Sequence, residues 1–419
     1  MRDTKRLTAQ EAAAELGVNL RTLYTYVSRG LIKSTPAGPS TRTRYYDLED
    51  VLHLQYRKQG HSPAPQLGGN TVSRVGEFDS SLTLVANGSL FYRGRDALEL
   101  AEKSTCEEVA ALLWTGAPED SKALFSESIG ALRQTSTTLR RVLKDLPEVE
   151  AFQALLALAA AGDPGAYDLR PSSAARRGVR IIKIIILAIT GKEPSESMSI
   201  AEALQQHWAP GDRRLIDAIN YALIVCADMP DSPSTLAVRC VAAARCTPYA
   251  TVMTGLSTLL GLRRGRSYER AWALFDEIGQ PDRARSVLDG RLRRGEEISG
   301  FGNLLSESDP RGPAVLQLTE TLFPDSPAVA LAASIREAAG ELLGEEPNID
   351  MALVALCRAM GLPASSGPTL IALSRTIGWI AHTLEEYTID RIILPHTHYR
   401  GPRPRATRVA ATATQASSG

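Results

Sequence analysis

Apolar residues recur three and four positions apart through most of this 419-residue chain, as in ALELAEKSTCEEVAALLW (97–114) and DMALVALCRAM (350–360). That is the spacing of one buried helix face, and it predicts an almost wholly helical stretch from 75 to about 399. Strand signals are confined to SLTLVANGSLFYRG (81–94), where Asn87-Gly88 suits a tight hairpin turn. There is no internal repeat. The longest apolar run, IIKIIILAITG (181–191), is too short to span a bilayer and contains Lys183, so no membrane partner is expected.

The first 58 residues follow a different pattern. Thr8 and Glu11 form a capping-box signature, predicting a helix from about Ala9 to Leu16 that Gly17 ends. Asn19 caps a second helix whose Leu20, Leu23 and Val27 face the first. PAGPSTRTRYYDLEDV (36–51) then predicts a turn-rich loop, a short strand and an acidic-capped helix. KQGHSPAPQLGGNTVSR (58–74) is rich in Gly, Pro, Gln and Ser and reads as a linker. The segment 400–419 holds four arginines, no acid and much Ala, Ser and Thr, the composition of a disordered tail.

Charge sharpens this division. The chain carries no net charge, yet residues 1–58 contain ten Lys and Arg against six Asp and Glu, an excess of +4. A basic helix-turn-helix points to DNA: Arg21, Thr22, Thr25, Tyr26 and Arg29 on the second helix for base edges, Arg42 and Arg44 on the wing for phosphates. The bland alternative is a protein-interaction domain with a solvated basic face. Five cysteines (106, 226, 240, 246, 357) lack metal-type spacing and read as reduced core thiols, so neither metal nor disulfide is expected. The polar start MRDTKRLTAQ shows no signal peptide, and a cytoplasmic location follows as an expectation.

LTAQEAAAELGVNLRTLYTYVSRGLI (7–32) resembles the winged headpiece of MerR and excisionase-type DNA-binding proteins. LVANGSLFYRGRDALELAEKSTCEEVAALLWTG (84–116) resembles the N-terminal signature of citrate synthases. ISGFGNLLSESDPRG (298–312), NIDMALVALCRAMGLP (348–363) and LSRTIGWIAHTLEEY (373–387) resemble later blocks of the same family, in the right order. The resemblance covers about 75–400. It implies a mainly α fold with a large helical domain (75–261 and 356–399) and a smaller mobile one (262–355), behind the headpiece (1–58) and linker (59–74). It also implies a homodimer, which suits paired helix-turn-helix units reading two half-sites. No permanent cofactor is implied; acyl-CoA would enter as substrate or ligand.

The chemistry that the resemblance implies joins the methyl carbon of an acyl-CoA to the ketone of oxaloacetate. An aspartate removes the methyl proton, histidines stabilise the enolate and the ketone, and arginines hold the carboxylates. Carried over residue by residue, the aspartate falls on Asp350 and two carboxylate-binding arginines on Arg311 and Arg375. The histidine positions fall on Arg264 in GLRRGR, Met229 in DMPDSPST and Asn303 in GFGN. The arginine that reaches into a partner's site falls on His396 in LPHTHY. Losing one oxyanion donor costs about 10² to 10³ in rate. Losing a general acid or base costs about 10² to 10⁴.

His382, on a core-facing stretch, is read as structural. The sequence therefore points to a catalytically degenerate homologue that binds DNA and senses an organic acid or acyl-CoA. Arg264, Arg266, Arg311 and Arg375 would give it a more cationic cleft than the family's usual site. The alternative is a working acyltransferase that condenses acetyl-CoA or propionyl-CoA with oxaloacetate or a related 2-oxo acid. A structural partner forming mixed dimers with an active paralogue is a third reading.

Overall fold

The computed structural model describes residues 6–28, 32–36, 44–47, 51, 66–67, 70–71, 78–86, 88–126, 146–195, 198–262, 266–302, 309–389 and 392–393. The tail 400–419 lies outside them, as do His396, Arg264 and Asn303.

Short polar signals start the helices. Capping boxes Thr105–Glu108 and Ser199–Glu202 open Cys106–Thr115 and Ile200–Trp208. Ser or Thr followed by proline opens three more, Pro233–Ala243, Pro248–Leu259 and Pro327–Leu343, where the hydroxyl caps and the proline lacks only an amide the helix would not use. Gly116, Gly191 and Gly344 adopt positive φ and stop their helices.

Helix Ser366–Ile389 is buried along nearly its whole length. Around it pack Pro233–Ala243, Pro248–Leu259, Pro171–Thr190, Cys106–Thr115 and Arg214–Val225. Two glycines admit close neighbours: at Gly178 a Cβ would meet Ile380, and at Gly255 the Trp379 indole. Lys183, inside the apolar run, is buried and donates to the Phe125 carbonyl at 2.7 Å. No helix among the described residues is long and apolar enough to cross a membrane.

The hairpin forms as the sequence predicts, Thr83–Ala86 pairing antiparallel with Ser89–Tyr92. The linker is not structureless throughout, because Gln66–Leu67 pairs antiparallel with Asn70–Thr71. The glycine pair between them has the composition of a two-residue hairpin turn, a signal hidden by the polar surroundings.

The headpiece has its own core of Ala12, Ala13, Leu16, Leu23, Ile32, Tyr46 and Val51. Thr8 caps Ala9–Glu15 with the reciprocal Glu11 bond, and Gly17 (φ +59°) turns the chain. Asn19 accepts from the Thr22 amide at 2.9 Å at the start of Leu20–Ser28. Strand Arg44–Asp47 lies between Arg6–Leu7 and Ser34–Pro36, both antiparallel. The acidic-capped helix expected after it falls outside the described residues except Val51.

Candidate functional site

Asp350 sits in the first turn of Ile349–Ala359, which Asn348 caps through the amides of Asp350 (3.0 Å) and Met351 (3.3 Å). The Asn348 amide group also donates to the carbonyls of Phe301 and Gly302 at 3.4 and 3.3 Å, tying this turn to the 300–302 loop. Helix Arg311–Leu322 starts against the same turn. A Cβ on Gly312 would lie 2.2 Å from the Pro347 oxygen, so glycine is what lets the two helix starts meet.

Arg311 is buried and bidentate to Asp309, Nε to Oδ1 and Nη2 to Oδ2 both at 2.8 Å. Burial opposes its charge, but Asp309 outweighs burial and raises its pKa. The half-buried Asp350 carboxylate accepts a 2.5 Å hydrogen bond from Ser267 Oγ. Burial pushes this carboxyl above the usual range; the Ser267 bond and Arg311 oppose the shift, and Asp309 reinforces it.

Arg375 comes from the central helix. Its Nη2 donates to the Met229 carbonyl (3.1 Å), Ser232 Oγ (2.7 Å) and Thr235 Oγ1 (2.8 Å). Its Nη1 is buried without a hydrogen-bond partner among the described residues, 3.8 Å from Asp228 Oδ1. Asp228 Oδ2 accepts from Thr83 Oγ1 at 2.6 Å and pairs with His382 Nε2 at 2.9 Å. His382 Nδ1 lies 3.0 Å from Arg239 Nη1, and a guanidinium can only donate. The ring proton is therefore on Nε2, donated to Asp228, and both ring nitrogens are spent. Burial acts to raise the Asp228 pKa; His382, Arg375 and Thr83 overcome it and hold the carboxyl well below the usual range.

These groups converge on Cys226. Burial pushes its thiol up to about 12, and Arg311, Asp309, Asp350 and Arg375 all act on it. Buried Tyr92 closes the floor, its hydroxyl donating to the Ile224 carbonyl at 3.0 Å and accepting from the Asp228 amide at 3.3 Å. The site can thus hold carboxylates on arginines beside a carboxyl of raised pKa.

Asp350, Arg311 and Arg375 come together from three separate motifs. Arg264, Asn303 and His396 lie outside the described residues, and Met229 is half-buried with its carbonyl on Arg375. The expected excess of positive charge is smaller than the arginines alone imply, because Asp309 and Asp228 offset two of them and Arg266 is exposed, paired with Glu269 at 3.8 Å. Cysteines 106, 226 and 357 are core thiols as expected, but Cys240 is exposed and Cys246 half-buried.

Sequence reasoning missed Ser267, Asp228, Asp309 and Cys226. Asp309 was legible two residues before Arg311, and Asp228 beside Met229. Nothing local marks Ser267, whose partner is 83 positions away.

On the headpiece helix, Arg21, Tyr24, Thr25 and Ser28 are exposed. Thr25 Oγ1 donates to the Arg21 carbonyl at 2.9 Å, and Thr22 Oγ1 is bonded to the Asn19 cap at 3.0 Å. Tyr26 packs on the headpiece core instead of standing clear, because it shares a helix face with Leu23 and Val27. Exposed Tyr24 takes the outward place, a residue that the reading by sequence passed over. Arg44 is tied to Ser34 across the sheet, Nε to Oγ at 2.9 Å. Arg29 and Arg42 lie outside the described residues.

Residues 71–396 match the family model "Citrate synthase, C-terminal domain", and residues 7–59 match "MerR HTH family regulatory protein". The chain is 28% identical over 343 residues to a 2-methylcitrate synthase of Mycobacterium tuberculosis, covering 76% of this chain and 86% of that one. It is 26% identical over 343 residues to a citrate synthase of Haloferax volcanii, covering 75% and 90%. Among solved structures, citrate synthase from Thermotoga maritima superposes with a TM-score of 0.68 at 25% identity, covering 80% of this chain and 96% of that one. The citrate synthase of Thermoplasma acidophilum, in ternary complex with carboxymethyl coenzyme A and oxaloacetate, gives 0.69 at 25% identity with the same coverage. The helical body, its converging arginines and aspartate, and these matches together make the chain a member of the citrate synthase family that carries a MerR-type helix-turn-helix at its N-terminal side.

Proposed function

We propose that this protein is a DNA-binding regulator whose citrate synthase body senses an organic acid or acyl-CoA and condenses them poorly or not at all. The observation that carries it is the wiring of His382, the buried imidazole that touches Asp228. His382 has both nitrogens committed to Arg239 and Asp228, and the Asp350 carboxylate is met by a serine hydroxyl. A thioester methyl proton is weakly acidic, so a carboxylate removes it only where a donor takes up the enolate charge at once. The substitutions at 229, 264 and 303 leave no imidazole at the family's positions. Arg311 and Arg375 remain to grip carboxylates. Domain closure around a ligand would then alter the spacing of two headpieces in a homodimer.

A second reading, an active acyltransferase, is favoured by the same convergence of Asp350, Arg311 and Arg375 and by relatives named for that activity. Purified protein given acetyl-CoA, oxaloacetate and a thiol reagent separates the two. Oxaloacetate-dependent CoA release within about 10³ of an ordinary enzyme's turnover defeats the regulator reading. Thermal shifts with oxaloacetate, citrate and CoA esters test the sensing, since a ligand of the native state raises the melting point.

A further inference from the structure

We infer that Ser267 is an acyl acceptor, and that the cleft cleaves acyl-CoA through a Ser267–Asp350 pair instead of joining it to a 2-oxo acid. The inference rests on the acyl-CoA reading above. Three features meet at this residue. Its hydroxyl donates to a carboxylate oxygen of Asp350 at 2.5 Å, within the hydrogen-bond reach that a nucleophile and its base need. Both residues are half-buried and not sealed in the core. Burial raises the Asp350 pKa above that of an ordinary carboxyl, which makes it a stronger base.

The place of the serine in the fold adds to these. Ser267 is the first residue of the 12-residue helix Ser267–Ile278, and Arg266 before it supplies no side-chain cap. The first helical backbone bond runs from the Arg270 amide to the Arg266 carbonyl at 3.2 Å, leaving the amides of Ser267, Tyr268 and Glu269 outside the ladder. Amides outside the helical ladder at the positive end of a helix, beside a nucleophile, are what a developing oxyanion needs.

The step balances without another reagent. Asp350 takes the hydroxyl proton as Ser267 Oγ bonds to the thioester carbon. The tetrahedral oxyanion collapses, the carbon–sulfur bond breaks, and the thiolate recovers the proton from Asp350 as free CoA. Water, deprotonated by Asp350, then attacks the serine ester. The carboxylic acid leaves and the hydroxyl is restored.

Full-length protein incubated with acetyl-CoA alone tests this. The expected result is CoA release without oxaloacetate, and one acetyl group on the tryptic peptide Ser267–Arg270. S267A should lose the ester and slow release by about 10²-fold or more. S267C should carry the acetyl group as a thioester, and D350N, nearly isosteric, should release CoA as slowly as S267A while keeping the hydroxyl. Acetyl-CoA that raises the melting point but leaves no ester overturns the inference while the sensing reading stands. S267A releasing CoA at the wild-type rate, or release that requires oxaloacetate, also overturns it. Failure of acetyl-CoA to bind at all overturns both.

Discussion

Replacing Gly378 by alanine should destabilise the protein, although alanine is the better helix former. Gly378 lies in the central helix where it crosses the turn carrying Asp228, and its amide also donates to the Ala227 carbonyl at 3.1 Å. A Cβ there would stand 2.4 Å from that carbonyl oxygen, 2.7 Å from Asp228 Oδ1 and 2.9 Å from Asp228 Cβ. The carbonyl is backbone, and Thr83 and His382 pin the carboxylate, so neither can swing aside. Overpacking of this kind costs about 1–3 kcal/mol, and rigid obstacles place it near the upper end. Helix propensity returns about 1 kcal/mol, leaving a net loss of about 1–2 kcal/mol.

The control is Gly340→Ala. Gly340 is also helical, near the end of Pro327–Leu343, with open space where the Cβ would go, so G340A should stabilise by about 0.5–1 kcal/mol. Urea titrations of both variants give the comparison directly. The same displacement moves Asp228 against Arg375, so G378A, unlike G340A, should also weaken oxaloacetate or citrate binding. A G378A protein as stable as wild type would refute the packing argument.

Three further outcomes follow from the same geometry. Asp228→Asn should cost about 3 kcal/mol at pH 7, because it leaves the buried Arg375 without its counter-ion. The Asp228 pKa is lowered on folding, so its contribution is present above the unfolded value of 3.8 and lost as pH falls through the folded one; the D228N penalty should shrink below that pH, and a constant penalty would contradict the assignment. In native protein a thiol reagent should modify Cys240 promptly and Cys106, Cys226 and Cys357 only after denaturation; fast labelling of Cys226 would contradict the packed site. If the headpiece binds DNA, Arg21→Ala and Tyr24→Phe should weaken binding, and only the arginine change should reduce the salt dependence, by about one unit of slope per lost phosphate contact.

Local chemistry was enough for the elements. The 3.6 period, the capping boxes at Thr8 and Thr105, and the positive-φ glycines Gly17 and Gly88 each act within a few residues, so they are written where they operate. Ordered motifs were also enough to point to the family, and Asp350, Arg311 and Arg375 come from three of them. What the sequence could not fix is how charges are partnered across long separations. The sign of the Asp350 shift depends on burial and on Ser267, 83 positions away; the tautomer of His382 depends on Arg239, 143 positions away; and Arg375, expected to be free, has an acidic neighbour in Asp228 that only packing brings into range. Electrostatic energy depends on distance and on exclusion of water, and both are properties of the folded chain.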